Sequence, residues 1–382
     1  MQGHLVKRSE SAWTIVIDLD RDAAGKRRQK WITIKGTRRD AERELARLLH
    51  ERHRGSFVEP SRLSFAEYIE QWLAFVQTRV AGKTFERYSE IVRKHLIPAL
   101  GQIPLTRLQP LAIQGYYAQA LESGRRDGKG GLNPRTVLHH HRVLREALRQ
   151  AVAWRLLAVN PCDAVQPPRP PQRELAVPSD EQVRALLDGA ISTRLYAPLL
   201  IAVGTGVRRG ELLALRWSDL DMTAGTVAIR QSLEETISGL SFKSPKTAKG
   251  RRVIALSPTL IAGLRKHRAA QAVERLALGA GYEEHALIFC EPDGRPWKPS
   301  KFTTQFIELA ARVRVRTHLH MLRHYHATAL LKAGTHPKIV SERLGHATVG
   351  ITLDTYSHAL PNLQEAAAAA FEANLRALGI DS

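Results

Sequence analysis

Three polar patches in the second half of this 382-residue chain carry side chains able to handle a phosphoryl group. The first reads Gly204-Thr205-Gly206-Val207-Arg208-Arg209-Gly210-Glu211. Its glycines let the backbone turn tightly ahead of a helix whose N-terminal amides favour anions. Glu211, three residues after Arg208, can pair with it and fix its guanidinium. The Gly-Lys-Ser/Thr ending of a P-loop is absent. The second patch reads His318-Leu319-His320-Met321-Leu322-Arg323-His324-Tyr325-His326. On a helix, His320 and Arg323 share a face. His320 and His324 could also share an ion, but no Glu follows His320 and no clustered Asp, Glu or Cys completes a metal set. The third patch runs from Leu344-Gly345-His346 to Tyr356, a histidine and a tyrosine ten residues apart across a Gly-containing turn.

Together these types suit a phosphodiester. Arginine forks match two phosphate oxygens and keep their charge, so they can neutralise the pentavalent phosphorane of an in-line attack. A tyrosine hydroxyl, with an ordinary pKa of about 10, is a weak nucleophile until a base and nearby cations activate it. A covalent link would conserve the diester's free energy, so rejoining would need no nucleotide. No cofactor and no metal are expected. Each patch also has a plain reading: a surface arginine pair, a polar histidine face, a half-buried tyrosine.

The elements that must position these patches fall into blocks. Strands are expected at Trp13–Leu19 and Lys30–Ile34, with a third at His4–Arg8, followed by a helix capped by Thr37 and Asp40. Gly55–Arg62 breaks the pattern. Phe65, Tyr68, Ile69, Trp72, Leu73 and Val76 then recur at helical spacing. Further helices are read over 84–97, from Pro110 to Leu121, and onward from the Asn133-Pro134 cap pair, giving a four-helix bundle. The run His139-His140-His141 reads as a polar helix face. Gln166–Arg173 holds four prolines in eight residues and reads as an extended linker. Beyond it, Ser179 with Gln182 forms a capping box, and strands are expected at Thr226–Ile229, Arg252–Leu256 and near Ile237–Phe242. The Ala-rich stretch Leu363–Leu378 favours helix. The fold class is therefore multidomain and mainly α with small β-sheets: a sheet plus helix over 1–55, a helical domain over 62–165, a linker over 166–173 and a mixed α+β domain over 174–382.

Charge points to the partner. Lys and Arg number 57 against 37 Asp and Glu, a net of +20. The excess is spread: residues 1–60 carry 14 basic and 9 acidic groups, 61–170 carry 16 and 8, and 171–382 carry 27 and 20. A chain basic along its whole length suits a polyanion. Lys26, Arg27 and Arg28 in one loop, Arg125, Arg126 and Lys129 in another, and Arg142 on the long helix are the candidate nucleic-acid contacts. Two cysteines cannot build a disulfide framework, and no apolar run is long enough to span a bilayer. The opening residues Met1–Arg8 lack an apolar core, so no secretory leader is expected. A reducing, cytoplasmic setting follows.

Thr205-Gly206-Val207-Arg208-Arg209-Gly210-Glu211, His320-Met321-Leu322-Arg323-His324, and Leu344-Gly345-His346 followed by Tyr356 resemble the signature of the tyrosine recombinases, the phage-integrase family, in the same order. Phe242–Arg252 resembles the family's β-hairpin with its catalytic lysine; the Pro-Lys-Thr context selects Lys246, and Lys243 and Lys249 remain open. The resemblance covers nearly the whole chain, with 62–165 similar to a core-binding domain and 1–55 to an integrase arm-binding domain.

The resemblance implies roles. Tyr356 would attack the scissile phosphate and form a 3′-phosphotyrosyl link. Arg208, Arg323 and His346 would hold the phosphate oxygens. Lys246 would protonate the leaving 5′ oxygen, and His320 would help accept the tyrosine proton. Glu211 would orient Arg208. It further implies two domains gripping opposite faces of duplex DNA, attachment sites as substrates, a homo-tetramer on synapsed DNA joined through the C-terminal helix, and a directionality factor or host DNA-bending protein as accessory partners. The setting would be a prokaryotic cytoplasm, with the protein at the nucleoid. The expected activity is site-specific integration or excision of a phage or mobile element. A type IB topoisomerase-like enzyme, a chromosome-dimer-resolving recombinase and a DNA-binding protein without catalysis stand as alternatives.

Overall fold

The structure is a computed structural model; it describes residues 3–19, 25–26, 28–53, 62–171, 176–245, 248–356 and 363–378. The chain divides into two compact units, 1–172 and 173–382.

The first unit opens with an antiparallel sheet of β1 (Gly3–Ser9), β2 (Ala12–Leu19) and β3 (Arg28–Lys35), in that order. The register sets Ile15 between Leu5 and Ile32. Because successive side chains alternate, Leu5, Ile15, Ile17, Ile32 and Ile34 share one face. That face packs on Leu45 and Leu48 of α1 (Arg38–His53). The other face carries His4, Val6 and Trp31, the last 56% exposed. The Thr37 hydroxyl and amide both donate to Asp40 at the start of α1.

The helical part of the first unit holds α2 (Phe65–Gln77), α3 (Gly82–Ile91), α4 (Ile97–Leu100), α5 (Pro110–Ser123) and α6 (Pro134–Ala153). Ser64 and Glu67 cap α2 reciprocally, and all six apolar residues read from its periodicity are buried. The single helix expected over 84–97 is interrupted by a π-helical turn at Val92–Leu96. Pro98 lies just beyond, and its missing N–H and bulky ring disfavour an unbroken α ladder there.

The histidine run needs a correction. His140 and His141 are buried, not part of a solvated face. Their Nδ1 atoms meet the hydroxyls of Tyr116 at 2.6 Å and Tyr117 at 2.8 Å. Burial holds His140 well below the ordinary histidine range, at about 4. It is therefore neutral at physiological pH, and its ring is hydrogen-bonded to the phenol. Gln166–Pro171 forms neither helix nor strand.

In the second unit, α7 (Asp180–Ala190) starts at the Ser179–Gln182 capping box. After it come α8 (Tyr196–Thr205) and the single turn α9 (Arg209–Leu212). A short sheet then orders β4 (Leu220–Asp221), β5 (Thr226–Ile229) and β8 (Arg252–Ala255) antiparallel. Between β5 and β8 the chain makes the hairpin β6 (Ser232–Thr236) and β7 (Gly239–Lys243). β6 was not expected from sequence, because only Leu233 of its five residues is fully buried. The helices α10 (Pro258–Leu278), α11 (Pro299–Arg312), α12 (His320–Lys332), α13 (Pro337–Leu344), α14 (Val349–Tyr356) and α15 (Leu363–Ala377) complete the unit. Among the described residues, no helix is long and apolar enough to cross a membrane.

Candidate active site

The three patches meet where α8, α12 and α13 pack. Gly206 caps α8 with φ +65°, a left-handed conformation that glycine adopts freely. A Cβ there would lie 2.7 Å from Leu344 and 2.8 Å from His326, so glycine also permits the close approach. The turn delivers Arg208 to the start of α9.

Glu211 sits beneath Arg208 and is 3% exposed. It accepts from the Arg208 amide at 2.9 Å and from its Nη1 at 2.8 Å. A second cation shares the carboxylate: Arg252 of β8 donates Nη2 at 2.9 Å and Nη1 at 3.3 Å. Burial alone would raise the Glu211 pKa, but the hydrogen bonds and charges of Arg252 and Arg208 outweigh it and hold it below the ordinary value. Arg252 was not selected from sequence. Its signal there was weak, since it lies in the basic run Lys249-Gly250-Arg251-Arg252 with nothing to distinguish it.

Arg323 lies on α12, 4% exposed. It donates Nη1 to the Gly206 carbonyl at 2.7 Å and Nη2 to the Leu344 carbonyl at 2.8 Å. Arg208 donates Nη2 to the next carbonyl, Gly345, at 3.2 Å. Both guanidinium groups are thus tied to the turn that presents His346. Burial, helped by the charge of Arg208, presses Arg323 down to about 9, which leaves it a cation at neutral pH. Arg209 points elsewhere, donating to Thr303 and the Pro299 carbonyl.

Gly345 caps α13 with φ +68° and turns the chain toward His346. The His346 Nδ1 lies 2.8 Å from Oγ1 of Thr352 on α14. Burial, then the charges of Arg323 and Arg208, lower His346 to about 4. Its ring borders a cavity of about 280 Å³ shared with Lys249, Arg251, Arg252 and Ser341.

Tyr356 ends α14. Its ring packs with Ala327, Leu331, Val340 and Leu344, and the residue is 1% exposed. The hydroxyl is not sealed in apolar surroundings: it lies 2.8 Å from His324 Nδ1. Burial raises the phenol pKa, and Arg323 opposes that rise. Burial and the neighbouring His320 and Arg323 push His324 down to about 4. Two neutral groups therefore meet within hydrogen-bond distance. His320, expected to help accept the phenol proton and to position the phosphate, is exposed, and its ring is stacked edge-on against His324 at 4.9 Å. His324 stood in the sequence motif without a role.

His326 is structural. It receives Nε of Arg343 on its Nε2 at 3.0 Å and so donates Nδ1–H to the Val203 carbonyl at 2.9 Å, pinning α12 to α8 and α13. No group of His, Cys, Asp and Glu suited to a metal occurs among the described residues. Of the hairpin lysines, Lys243 pairs with Glu234 across β6 and β7. Lys249 donates to the Ala347 carbonyl at 2.6 Å. Lys246 and Arg27 lie outside the described residues, as does the side chain of Arg28. Lys26, Arg125, Arg126, Lys129 and Arg142 are exposed. Arg125 is engaged by Asp127 through two hydrogen bonds.

The model of the phage integrase family matches residues 179–362, and that of the phage integrase N-terminal SAM-like domain matches 64–121. The chain belongs to the phage integrase family of tyrosine recombinases. Members of this family are DNA strand-exchange enzymes, and so is this chain. Among its relatives, a tyrosine recombinase XerC-like protein of Caldanaerobacter subterraneus is 27% identical, covering 93% of this chain and 94% of its own length. The integrase of Mycobacterium phage D29 is 26% identical over 75% of this chain and 73% of its own. Among solved structures, the Tn1549 transposon integrase in complex with a circular intermediate DNA aligns with a TM-score of 0.65 at 20% identity, over 77% of this chain and 95% of that one. A lambda integrase dimer bound to a COC′ core site aligns at 0.58 and 18%, over 94% of both chains. These likenesses establish the tyrosine-recombinase fold.

Proposed function

We propose that Tyr356 is the nucleophile of this recombinase and that Arg208, Arg323 and His346 form the cradle for the scissile phosphate. The observation that carries the assignment is the shared turn: Arg323 and Arg208 hold the consecutive carbonyls of Leu344 and Gly345, directly before His346. Positive charge is thereby fixed around one point before any DNA arrives, which is the preorganisation that transition-state stabilisation requires.

In the forward step the Tyr356 oxygen bonds to phosphorus and the bond from phosphorus to the 5′ oxygen breaks. The phenol proton passes to His324 Nδ1. The departing 5′ oxygen takes a proton from a lysine, assigned to Lys246 from its Pro-Lys-Thr context, with Lys249 beside His346 as the alternative. Reversal of the same steps on a new 5′ hydroxyl rejoins the strand. Because the phenol is covered, α14 must shift to expose it when DNA is engaged.

The substrate is duplex DNA carrying attachment sites of a phage or other integrative element, and the active assembly is a homo-tetramer on synapsed DNA. A lambda integrase tetramer has been solved on a Holliday junction. Residues 62–165 act as the core-binding domain. Residues 1–55 act as an arm-binding domain that meets DNA through the sheet face bearing His4, Val6 and Trp31. An excision factor or host DNA-bending protein would set direction.

A duplex with the element's junction sequence, nicked near the scissile bond, should trap a covalent adduct with the full chain. Tyr356→Phe should abolish the adduct and retain binding. An adduct persisting in that variant would refute the assignment. Efficient relaxation of unrelated supercoiled plasmid would favour the topoisomerase reading instead.

A further inference from the structure

Thr352 lies one turn before Tyr356 on α14, is fully buried, and places its hydroxyl 2.8 Å from His346 Nδ1. His346 is the only hydrogen-bond partner of that hydroxyl among the described residues. A hydroxyl has one proton to donate, and burial of a donor without an acceptor is costly. If Nδ1 carried a proton, the threonine proton would have nowhere to go. The accounting therefore closes only when Thr352 donates and Nδ1 accepts.

We infer that Thr352 is a positioning residue for the reaction, holding His346 as the neutral Nε2–H tautomer with that N–H turned away from α14 as a donor to a phosphate oxygen. This deepens the proposed site and rests on His346 being a phosphate ligand. A neutral donor fits its setting. Arg208 at the start of α9, Arg323 and His324 on α12, and Arg252 on β8 act on this ring, and Lys249, Arg251 and Lys338 line the cavity it borders, with Glu342 the one acid of that lining. Burial and so many cations both disfavour a further charge, and the low value of about 4 agrees with that. The same bond ties the helix of the nucleophile to the phosphate ligand.

The test uses full-length protein in two measurements. In the first, ¹⁵N-histidine spectra, with His346 assigned by loss of its signal in His346→Gln, should show Nδ1 unprotonated at neutral pH. In Thr352→Val, which keeps the shape and removes the hydroxyl, the His346 titration should shift upward because the neutral ring loses its donor. In the second, adduct formation on the nicked junction duplex should fall by roughly 10- to 100-fold in Thr352→Val, the loss of one hydrogen bond to developing charge. Thr352→Ser should recover to within about threefold. A protonated Nδ1 in the wild type overturns the inference, as does Thr352→Val at the wild-type rate or Thr352→Ser as impaired as valine. If His346→Ala itself cleaves normally, it is the cradle assignment that fails; the spectra still decide the tautomer.

Discussion

Glu211 and Arg252 form a two-point ion pair in which both side chains are under a tenth exposed, at 4% and 7%. Such a pair gains little over an apolar replacement, but losing one partner strands the other charge in a poor solvent. Glu211→Ala should therefore destabilise the second unit by about 3–5 kcal/mol, read as an earlier urea transition. The double variant Glu211→Gln with Arg252→Met should recover much of it. The pH sign follows from the lowered carboxylate pKa. The contribution is present above the ordinary carboxylate range and is lost as pH falls through the folded value. A Glu211→Ala protein as stable as the wild type at pH 7 would show that the pair does not hold Arg208 in place.

His324 gives a prediction that separates it from His320. As the group touching the phenol, His324→Ala should lower the cleavage rate by about 10²–10⁴-fold, the usual worth of a positioned base, whereas His320→Ala should cost less. Because His324 is held at about 4, it stays neutral and able to accept a proton across the physiological range. Single-turnover cleavage limited by this base should stay flat from pH 8 to 6 and drop only toward pH 4. A midpoint near 6.5, shared by wild type and His320→Ala, would remove His324 from the role.

How much of this was legible in the sequence depends on what each residue's signal rests on. Periodicity exposed α2 because Phe65, Tyr68, Ile69, Trp72, Leu73 and Val76 all face one core. The order of Arg208, Arg323, His346 and Tyr356 pointed to the candidate site because it resembles the tyrosine-recombinase signature. Other features have no local signature. Arg252 becomes a partner of Glu211 only when residues 41 apart in the chain meet. His324 and Tyr356 meet across 32. His140 and His141 look solvated until α5 supplies tyrosines to satisfy them. The π turn before Pro98 and the polar strand β6 were missed for a related reason: packing, not propensity, decides them.

The His140–Tyr116 pair makes the first unit acid-sensitive. A histidine near 4 when folded and about 6.5 when unfolded takes up its proton more readily in the unfolded chain. Stability is therefore full above about pH 6.5 and falls as pH drops toward 4, by about 3 kcal/mol for this one group. His140→Gln should be less stable at pH 7, having lost the fitted ring, but less steep in its acid dependence. The gap between wild type and variant should narrow by about 2–3 kcal/mol between pH 7 and 4.5 in urea melts. A constant gap would mean that His140 takes up its proton as readily in the fold as in the unfolded chain.

The exposed cations of the first unit are not equivalent, and salt titrations should rank them. Arg125 is already engaged by Asp127, an ion pair about half exposed on each side. Arg126 and Arg142 have no ion-pair partner among the described residues, so a DNA phosphate would be their first counter-charge. Each phosphate contact releases condensed counterions, contributing close to one unit to the slope of log K against log salt. Arg126→Ala and Arg142→Ala should each weaken binding on any duplex, specific or not, and flatten that slope by about one. Arg125→Ala should do so less, since the charge it removes is already partly spent on Asp127. Equal losses for all three would mean that the Arg125–Asp127 pair opens on DNA. An unchanged slope in Arg126→Ala would place the duplex away from the 124–131 loop altogether, and with it would go the assignment of that loop to the DNA interface.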